Sequence, residues 1–239
     1  MKLPKLSIRN IIFILAVLVL LVAGLVWRLE KNSPKLFSGE PESPNLTLYA
    51  DRGLSAEMQT SLEQKVSDLE ALMASDEKVK ADVSQWLQLG NFKYQLGDLA
   101  GAKEDYEHIL TINPQDAPAH ENLAQAFYEM GDFVSAESHW RAALAASPWE
   151  VTYIKLVNLI DEKFPARHAE VQTILEEAIA TLGQMPVLLV RLGDWYLSEG
   201  DYSRALSHYQ IAKQLEPTDQ GIEQKITEAK EKRVASQGD

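Results

Sequence analysis

The residues that could support catalysis or metal binding are scattered along this sequence. Its histidines fall at unrelated spacings, and none forms the His-Glu-x-x-His pattern of a zinc enzyme. The sequence also lacks a Gly-x-Ser-x-Gly nucleophile turn and a Gly-rich phosphate loop. It contains no cysteine, which excludes thiol catalysis and disulfides. We therefore predict no catalytic residue, no metal ligand, no cofactor and no enzyme activity, and we expect His139 and His208 to lie at the surface.

The charge balance excludes another class of function. The chain carries 23 Lys and Arg against 35 Asp and Glu, a formal net charge of −12. Most of this imbalance falls in residues 51–239, which hold 17 basic and 32 acidic residues. Binding to a phosphate backbone requires clustered cations, and so does lying flat on an anionic bilayer. We predict no nucleic-acid partner.

One apolar run near the N-terminus predicts a membrane anchor. Ile11 to Trp27 is a run of 17 residues without a polar or charged side chain. At about 1.5 Å per residue it spans roughly 25 Å, close to the ~30 Å of a hydrocarbon core. A cleaved signal peptide usually has a shorter apolar stretch and a small-x-small cleavage site, which is missing here. We predict a short basic tail at 1–9 and an uncleaved transmembrane helix over 10–28.

The flanking charges give the expected orientation of this anchor. Three basic residues and the terminal amine precede the run, and three basic residues follow it: Lys2, Lys5 and Arg9, then Arg28, Lys31 and Lys35. The positive-inside rule therefore tilts the N-terminus toward the cytoplasm. We expect a single-pass protein of the cell membrane whose C-terminal domain is extracytoplasmic.

Two segments separate the predicted anchor from the rest of the chain. Residues 29–52 contain Pro34, Pro41 and Pro44, which is typical of an extended linker holding the next domain off the membrane. Residues 53–82 form an amphipathic helical segment with an apolar stripe: Met58, Leu62, Val66, Leu69, Leu72 and Met73. This stripe fits either a short dimerising coiled coil or, as we favour, a helix that packs onto the following elements.

A three-part pattern recurs between residues 97 and 209. A Gly-Asp pair is followed by an alanine four residues after the aspartate and by an aromatic residue four further on. The three copies are Gly97-Asp98 with Ala102 and Tyr106, Gly131-Asp132 with Ala136 and Trp140, and Gly200-Asp201 with Ala205 and Tyr209. The first two are 34 residues apart, and the third follows 69 residues later, which leaves room for another copy.

A period of 34 with these residue types resembles the tetratricopeptide repeat, whose pattern is W-x2-L-G-x2-Y, then A-x3-F, then A, then P. Trp86, Leu89, Gly90 and Pro114 complete the first copy, while Lys93 stands at its usual tyrosine position. The resemblance implies an all-α, right-handed superhelix of stacked helix-turn-helix repeats. Its predicted units are 83–116, 117–150, 151–185, which is degenerate and turns at Phe164-Pro165, and 186–219, with a capping helix and tail at 220–239.

The resemblance also implies where partners bind, because such arrays hold peptides in a concave groove lined by the first helix of each pair. The candidate peptide-binding residues are Leu87, Gln88, Asn91, Tyr94 and Gln95, then Glu121, Asn122, Gln125, Tyr128 and Glu129, then Lys155, Leu156 and Leu159, and finally Val190, Arg191 and Asp194. Leu87, Thr152 and Leu156 replace the cations with which chaperone-binding members clamp two carboxylates. An acidic chaperone tail is therefore not the expected ligand.

Two functions remain open from the sequence. The first is a membrane-anchored scaffold or adaptor that binds protein or peptide partners through the groove, in assembly of a membrane or envelope complex. Its layout is similar to single-span bacterial assembly factors for c-type cytochromes and to accessory subunits of the secretion translocon. The alternative is a structural subunit of a larger membrane complex that self-associates, for example through the helix around Met58–Met73.

Overall fold

The computed structural model describes residues 46–236, and their secondary structure is almost entirely helical. A single isolated bridge pairs Tyr49 with Asp98 in this part of the chain. The elements are α1 (Ala56–Ser75), α2 (Glu77–Ala81), α3 (Val83–Leu96), α4 (Leu99–Ile112), α5 (Ala117–Met130), α6 (Phe133–Ala146), α7 (Glu150–Lys163), a short 3-10 helix (Pro165–Arg167), α8 (His168–Leu182), α9 (Pro186–Ser198), α10 (Tyr202–Leu215) and α11 (Gln220–Ala235).

Helices α3 to α10 form four consecutive helix pairs, followed by α11, and this repeat architecture confirms the predicted all-α fold. The Gly-Asp pairs produce the turns inside three of them. Gly97 adopts a left-handed conformation with φ 87°, which ends α3. The side chain of Asp98 then accepts a hydrogen bond of 2.9 Å from the backbone N–H of Gly101 and caps α4. Asp132 and Asp201 cap α6 and α10 in the same way.

Small residues allow the two helices of a pair to approach each other closely. A Cβ atom added at Gly90 would lie 2.6 Å from the ring of Tyr106, and one added at Gly193 would lie 2.4 Å from the ring of Tyr209. In the second pair Ala124 and Trp140 are both buried. The repeated alanine, glycine and aromatic residues are therefore packing positions.

The third pair, α7 and α8, turns without Gly-Asp and depends on ion pairs instead. Arg167 at the turn lies 2.7 Å from a carboxylate oxygen of Glu137 and 2.7 Å from one of Glu170. The hydrogen bonds from Arg167 lower the pKa of both carboxyl groups. This cluster replaces the aspartate caps, since the residues that precede α7 and α8 make no capping side-chain bond.

Helix α1 packs against the first pair. Leu69 and Met73 are buried against Leu89 of α3. Two other residues of the predicted apolar stripe remain at the surface, since Met58 is 56% and Leu72 48% exposed. Only part of the stripe is used in packing.

The end of the predicted linker over 29–52 is bound to the repeats by backbone hydrogen bonds. Residues 46–52, called the strap below, run past the turns of the first two pairs. The N–H of Thr47 donates to the carbonyl of Met130 at 3.0 Å, and the N–H of Ala50 donates to that of Gly97 at 2.8 Å. Extended backbone carries unpaired donors and acceptors, and here the turns satisfy them.

The predicted basic tail (1–9), the transmembrane segment (10–28) and the rest of the linker (29–45) lie outside the described residues, as do residues 237–239. Among residues 46–236, no helix combines the length and the apolar character needed to cross a bilayer.

Candidate functional site

The first helices of successive pairs are joined by side-chain hydrogen bonds and ion pairs between residues 30 to 35 positions apart. We call this series the polar ladder. Its first step joins α3 to α5. Nδ2 of Asn122 donates to Oδ1 of Asn91 at 3.0 Å, and the hydroxyl of Tyr94 donates to Glu129. The stacking of successive repeats thus brings polar side chains of neighbouring first helices into contact.

The second step joins α5 to α7 and centres on Glu121. Its carboxylate accepts hydrogen bonds from Lys155 at 2.6 Å and from the hydroxyl of Thr152 at 2.7 Å. Further along the same helices, the hydroxyl of Tyr128 donates to Glu162 at 3.0 Å. Two contacts at separate points hold these helices in register.

The last two steps join α7 to α9 and α9 to α11. Arg191 donates to Oδ1 of Asn158 at 3.1 Å and forms an ion pair with Asp161. Asp194 accepts from Lys225 at 2.6 Å, which ties the capping helix to the last pair. The ladder therefore runs from α3 to α11.

The ladder contains most of the residues predicted to line the groove. Tyr94 and Gln125 both donate to Glu129, and Asn91 is bonded to Asn122. Arg191 belongs to the step between α7 and α9, and Asp194 belongs to the step between α9 and α11. Several predicted residues stand apart from the ladder: Leu87 packs against the core of the first two pairs, Gln88 is exposed, and Gln125 bonds to Glu129 within its own helix. That these residues bind a peptide remains a prediction.

Leu156 and Leu159 do not line the first-helix surface, contrary to expectation. Each is only 1% exposed. Leu156 belongs to the apolar core of the third and fourth pairs, and Leu159 to that of the first and second. Helix α7 is thus buried on two sides, and its positions 6 and 9, counted from Val151 as 1, serve packing.

The two histidines expected at the surface are partly buried. Nδ1 of His139 lies 2.9 Å from Nδ1 of His120, and the ring of His139 stacks on Phe127. The ring of His208 stacks on Tyr196. Burial lowers the pKa of His139, with a further contribution from His120, and burial also lowers the pKa of His208. Within residues 46–236, no cluster of three or more His, Asp or Glu side chains is arranged to hold a metal ion.

The prediction missed Asn158, Asp161, Glu162 and Lys225 of the ladder, and it also missed Arg52 of the strap, which contacts the ladder. The signal that could have found these four ladder residues is the recurrence of complementary polar residues 30 to 34 positions apart, such as Asp194 and Lys225. No such spacing marks Arg52, because it lies outside the repeats.

Arg52 contacts the first step of the ladder through three parts of its guanidinium group. Nη1 lies 2.7 Å from Oε2 of Glu129, Nε donates to the carbonyl of Tyr94 at 3.2 Å, and the group lies 4.5 Å from the centroid of the Tyr94 ring. Burial, together with the bond to Glu129, raises the pKa of Tyr94 to about 12. Tyr94 is therefore a neutral hydroxyl donor at physiological pH.

A small cleft opens beside the second step. It has a volume of about 300 Å³ and lies where α5 and α7 begin, lined mainly by Pro118, Ala143 and Trp149 with Glu121 and Asn122. The Trp149 side chain is 50% exposed. An apolar wall next to a carboxylate and an amide suits a side chain of a bound peptide.

Comparisons with known proteins agree with this geometry. Residues 93–149 and residues 188–223 each match a family model described as tetratricopeptide repeat. Tetratricopeptide repeat protein 16 from Homo sapiens is 27% identical over 141 residues, and so is its relative from Macaca fascicularis. The match covers 54% of this chain but only 16% of either relative.

Solved structures show the same fold at low identity. The crystal structure of MamA has a TM-score of 0.54 at 18% identity, covering 78% of this chain and 99% of that one. Pseudomonas aeruginosa pilF has a TM-score of 0.52 at 22% identity, covering 64% and 69%. YrrB, described as a repeat protein with an unusual peptide-binding site, has a TM-score of 0.52 at 17% identity, covering 69% and 86%. Residues 93–149 and 188–223 are thus similar to tetratricopeptide repeats, and the described helix pairs share the fold of these solved structures.

Proposed function

We propose that this chain is a non-enzymatic, membrane-anchored adaptor that binds protein or peptide partners on the surface formed by α3, α5, α7 and α9. Tetratricopeptide repeats generally mediate protein–protein interactions. The observation that carries the proposal is the polar ladder. It fixes a row of amides, carboxylates and tyrosine hydroxyls along one surface before any partner arrives, which reduces the entropy lost on binding.

The cleft beside Trp149 supports the same proposal. An extended peptide bound along the first helices would bond its backbone to exposed amides and place an apolar side chain against Trp149 and Pro118. Exposed Gln88 on α3 and Asn158 on α7 would be amides free for such contacts at their NH₂ groups. The surface has both polar positions and an apolar pocket, as peptide sites require.

Site-directed photocrosslinking of the full chain in detergent tests this surface. A crosslinking residue at Gln88 or Asn158 is expected to capture partner proteins. The matched controls are Ser138 on α6 and Ser207 on α10, which are also exposed but lie on second helices. Capture from the serine positions and none from the first helices would place the binding surface elsewhere.

The anchor and its orientation are part of the proposal. The apolar run over 10–28 supports insertion, and the flanking charges support an extracytoplasmic C-terminal domain. Protease added to intact spheroplasts is expected to digest the domain and leave a small membrane-bound fragment. A domain digested only after lysis would reverse the orientation, and full extraction by alkaline carbonate would refute the anchor.

Self-association in a larger membrane complex is the second candidate. The exposed Met58 and Leu72 on α1 favour it, since both are large apolar side chains with no partner in the packed array. Light scattering of the detergent-solubilised chain separates the two functions. A monomer that persists across micromolar concentrations would count against self-association.

A further inference from the structure

We propose that the turns of the first two pairs form a binding site for an extended, arginine-containing peptide, and that the strap fills this site in cis. The site consists of the carbonyls of Gly97 and Met130 together with Tyr94 and Glu129. The inference rests on the proposed function only in that the array accepts peptides. It adds where on the array the peptide binds, which side chain the site recognises, and that the strap competes with the peptide for this site.

The strap binds as a peptide ligand would. Three backbone hydrogen bonds hold it: Thr47 to Met130, Ala50 to Gly97, and Ala100 to the carbonyl of Leu48 at 3.2 Å. The bridge between Tyr49 and Asp98 is antiparallel, so the strap pairs with the turn as an added strand pairs with a sheet edge. These backbone bonds do not depend on side-chain identity.

The site therefore distinguishes one peptide sequence from another at the position that Arg52 occupies. Its guanidinium uses an ion pair with Glu129, an Nε donor to the carbonyl of Tyr94 and a face stacked on the Tyr94 ring. A lysine could supply the charge, but it has neither the planar face nor the forked donors. The position consequently selects arginine over lysine.

The shape of the first turn supports a dedicated contact. A Cβ atom added at Gly97 would lie 1.8 Å from the carbonyl oxygen of Ala50, whereas one added at Gly131 or Gly200 would meet nothing within 4 Å. All three glycines end a helix with positive φ. Only at Gly97 does the missing side chain also make room for another segment.

The strap is held weakly enough to be exchanged. Leu48 and Tyr49 are 56% and 60% exposed, and the apolar contacts of the strap come from Leu46 and Ala50, which are half-buried against the core of the first two pairs. Each backbone hydrogen bond adds only a modest net stabilisation, because in the released strap the same groups bond to water. A partner peptide with the same backbone pairing and an arginine can therefore compete, provided it overcomes the millimolar effective concentration typical of a segment tethered nearby.

The test uses the full chain in detergent and a labelled synthetic peptide covering residues 44–54. An opened variant carries Ala50→Pro, which removes the donor to Gly97, together with Arg52→Ala. Its control carries Leu48→Ala and Tyr49→Ala, which change exposed side chains only. We expect the opened variant to bind the peptide at least about tenfold more tightly than the unaltered chain or the control.

Substituting Arg52→Lys in the peptide is expected to weaken binding to the opened variant by about tenfold. A folded opened variant that ignores the peptide, or that binds both peptides equally, overturns the inference. Should the opened variant not fold, millimolar peptide is added to the unaltered chain and amide exchange is read at Ala50. Faster exchange supports displacement of the strap, and unchanged exchange refutes it. A chain that captures partners yet rejects this peptide would overturn this inference alone.

Discussion

The hydroxyl of the buried Tyr106 donates a hydrogen bond of 2.8 Å to Oδ1 of Asn91, the same oxygen that accepts from Asn122 at 3.0 Å. Burial is also the main reason that the pKa of Tyr106 is raised. Asn91 thus joins the core of the first pair to the ladder on its surface. Asn91, which the sequence predicts to bind a peptide, therefore also stabilises the fold.

Asn91→Ala should therefore lower the free energy of unfolding by about 1–3 kcal/mol, because it leaves a buried hydroxyl without its acceptor. Asn122→Ala, which removes only the surface donor, should cost within about 0.5 kcal/mol. Adding Tyr106→Phe to Asn91→Ala should recover much of the loss, since no hydroxyl is then stranded. Urea denaturation measures all three, and equal losses in the two asparagine variants would contradict the prediction.

The second prediction concerns the buried ion pair between Lys93 and Asp105, whose atoms Nζ and Oδ2 are 2.9 Å apart. Asp105 is 5% exposed, and burial raises its pKa to about 6 from 3.8. Lys93→Met would leave this carboxylate buried without its cation. Removing one partner of such a pair costs about 3–5 kcal/mol.

This cost should depend on pH. A carboxyl whose folded pKa exceeds its unfolded pKa stabilises the protein at low pH, and that contribution is lost as pH rises through the folded value. Without Lys93 the folded pKa rises further, so the Lys93→Met variant should be less destabilised at pH 5 than at pH 7. The double variant Lys93→Met with Asp105→Leu should be close to wild type at both pH values. A cost independent of pH would argue that Asp105 stays ionised.

The third prediction tests the turn of the degenerate pair. Arg167→Ala should destabilise the array by about 1–3 kcal/mol, because it removes two hydrogen bonds from Glu137, whose side chain is only 13% exposed, and leaves Arg141 as its remaining cation. Arg204→Ala is the matched control, since Arg204 is 65% exposed and forms a salt bridge with Asp201 at the start of its own helix. Its cost should stay within about 0.5 kcal/mol. Equal thermal shifts for the two variants would show that the cluster does not hold this turn.

The fourth prediction concerns the two partly buried histidines. Burial lowers the pKa of His139 and His208 below the usual 6.5. The unfolded chain therefore binds more protons than the folded chain as pH falls through and below 6.5, and stability is lost in that window. His139→Gln with His208→Gln should reduce the fall in unfolding free energy between pH 7.5 and 5.5. An unchanged slope in urea titrations would exclude these groups as its source.

The helix pairs could be predicted from the sequence because their determinants are local. Gly97 and Asp98 form a turn within four residues, and Gly90 meets Tyr106 within a single pair. Such contacts recur with the period of the chain, so their residue types repeat as well. Groove positions are less reliably assigned from the repeat pattern, as Leu156 shows. Helix α7 packs between two apolar cores, so the neighbouring helices decide which of its residues are buried.

The strap could not be predicted because its contacts leave no residue pattern. Thr47 and Ala50 bind through backbone N–H groups, which every residue except proline carries. The three prolines nearby also favoured a spacer. Arg52 offers a side-chain signal only once Tyr94 and Glu129 are known to be neighbours, and that proximity arises from the stacking of α3 on α5.

The direction of the strap sets how mechanical load enters the array. Tension arriving from the N-terminal side of residue 46 reaches the bond between Thr47 and Met130 first, at the second pair, and only then the bonds of Leu48 with Ala100 and of Ala50 with Gly97 at the first. Helix α1, although it comes next in sequence, bears no load until all three bonds and the Arg52 contact have opened. A pulling force would therefore break the contacts of the strap one after another. The helices would stay folded until the last of these contacts has broken.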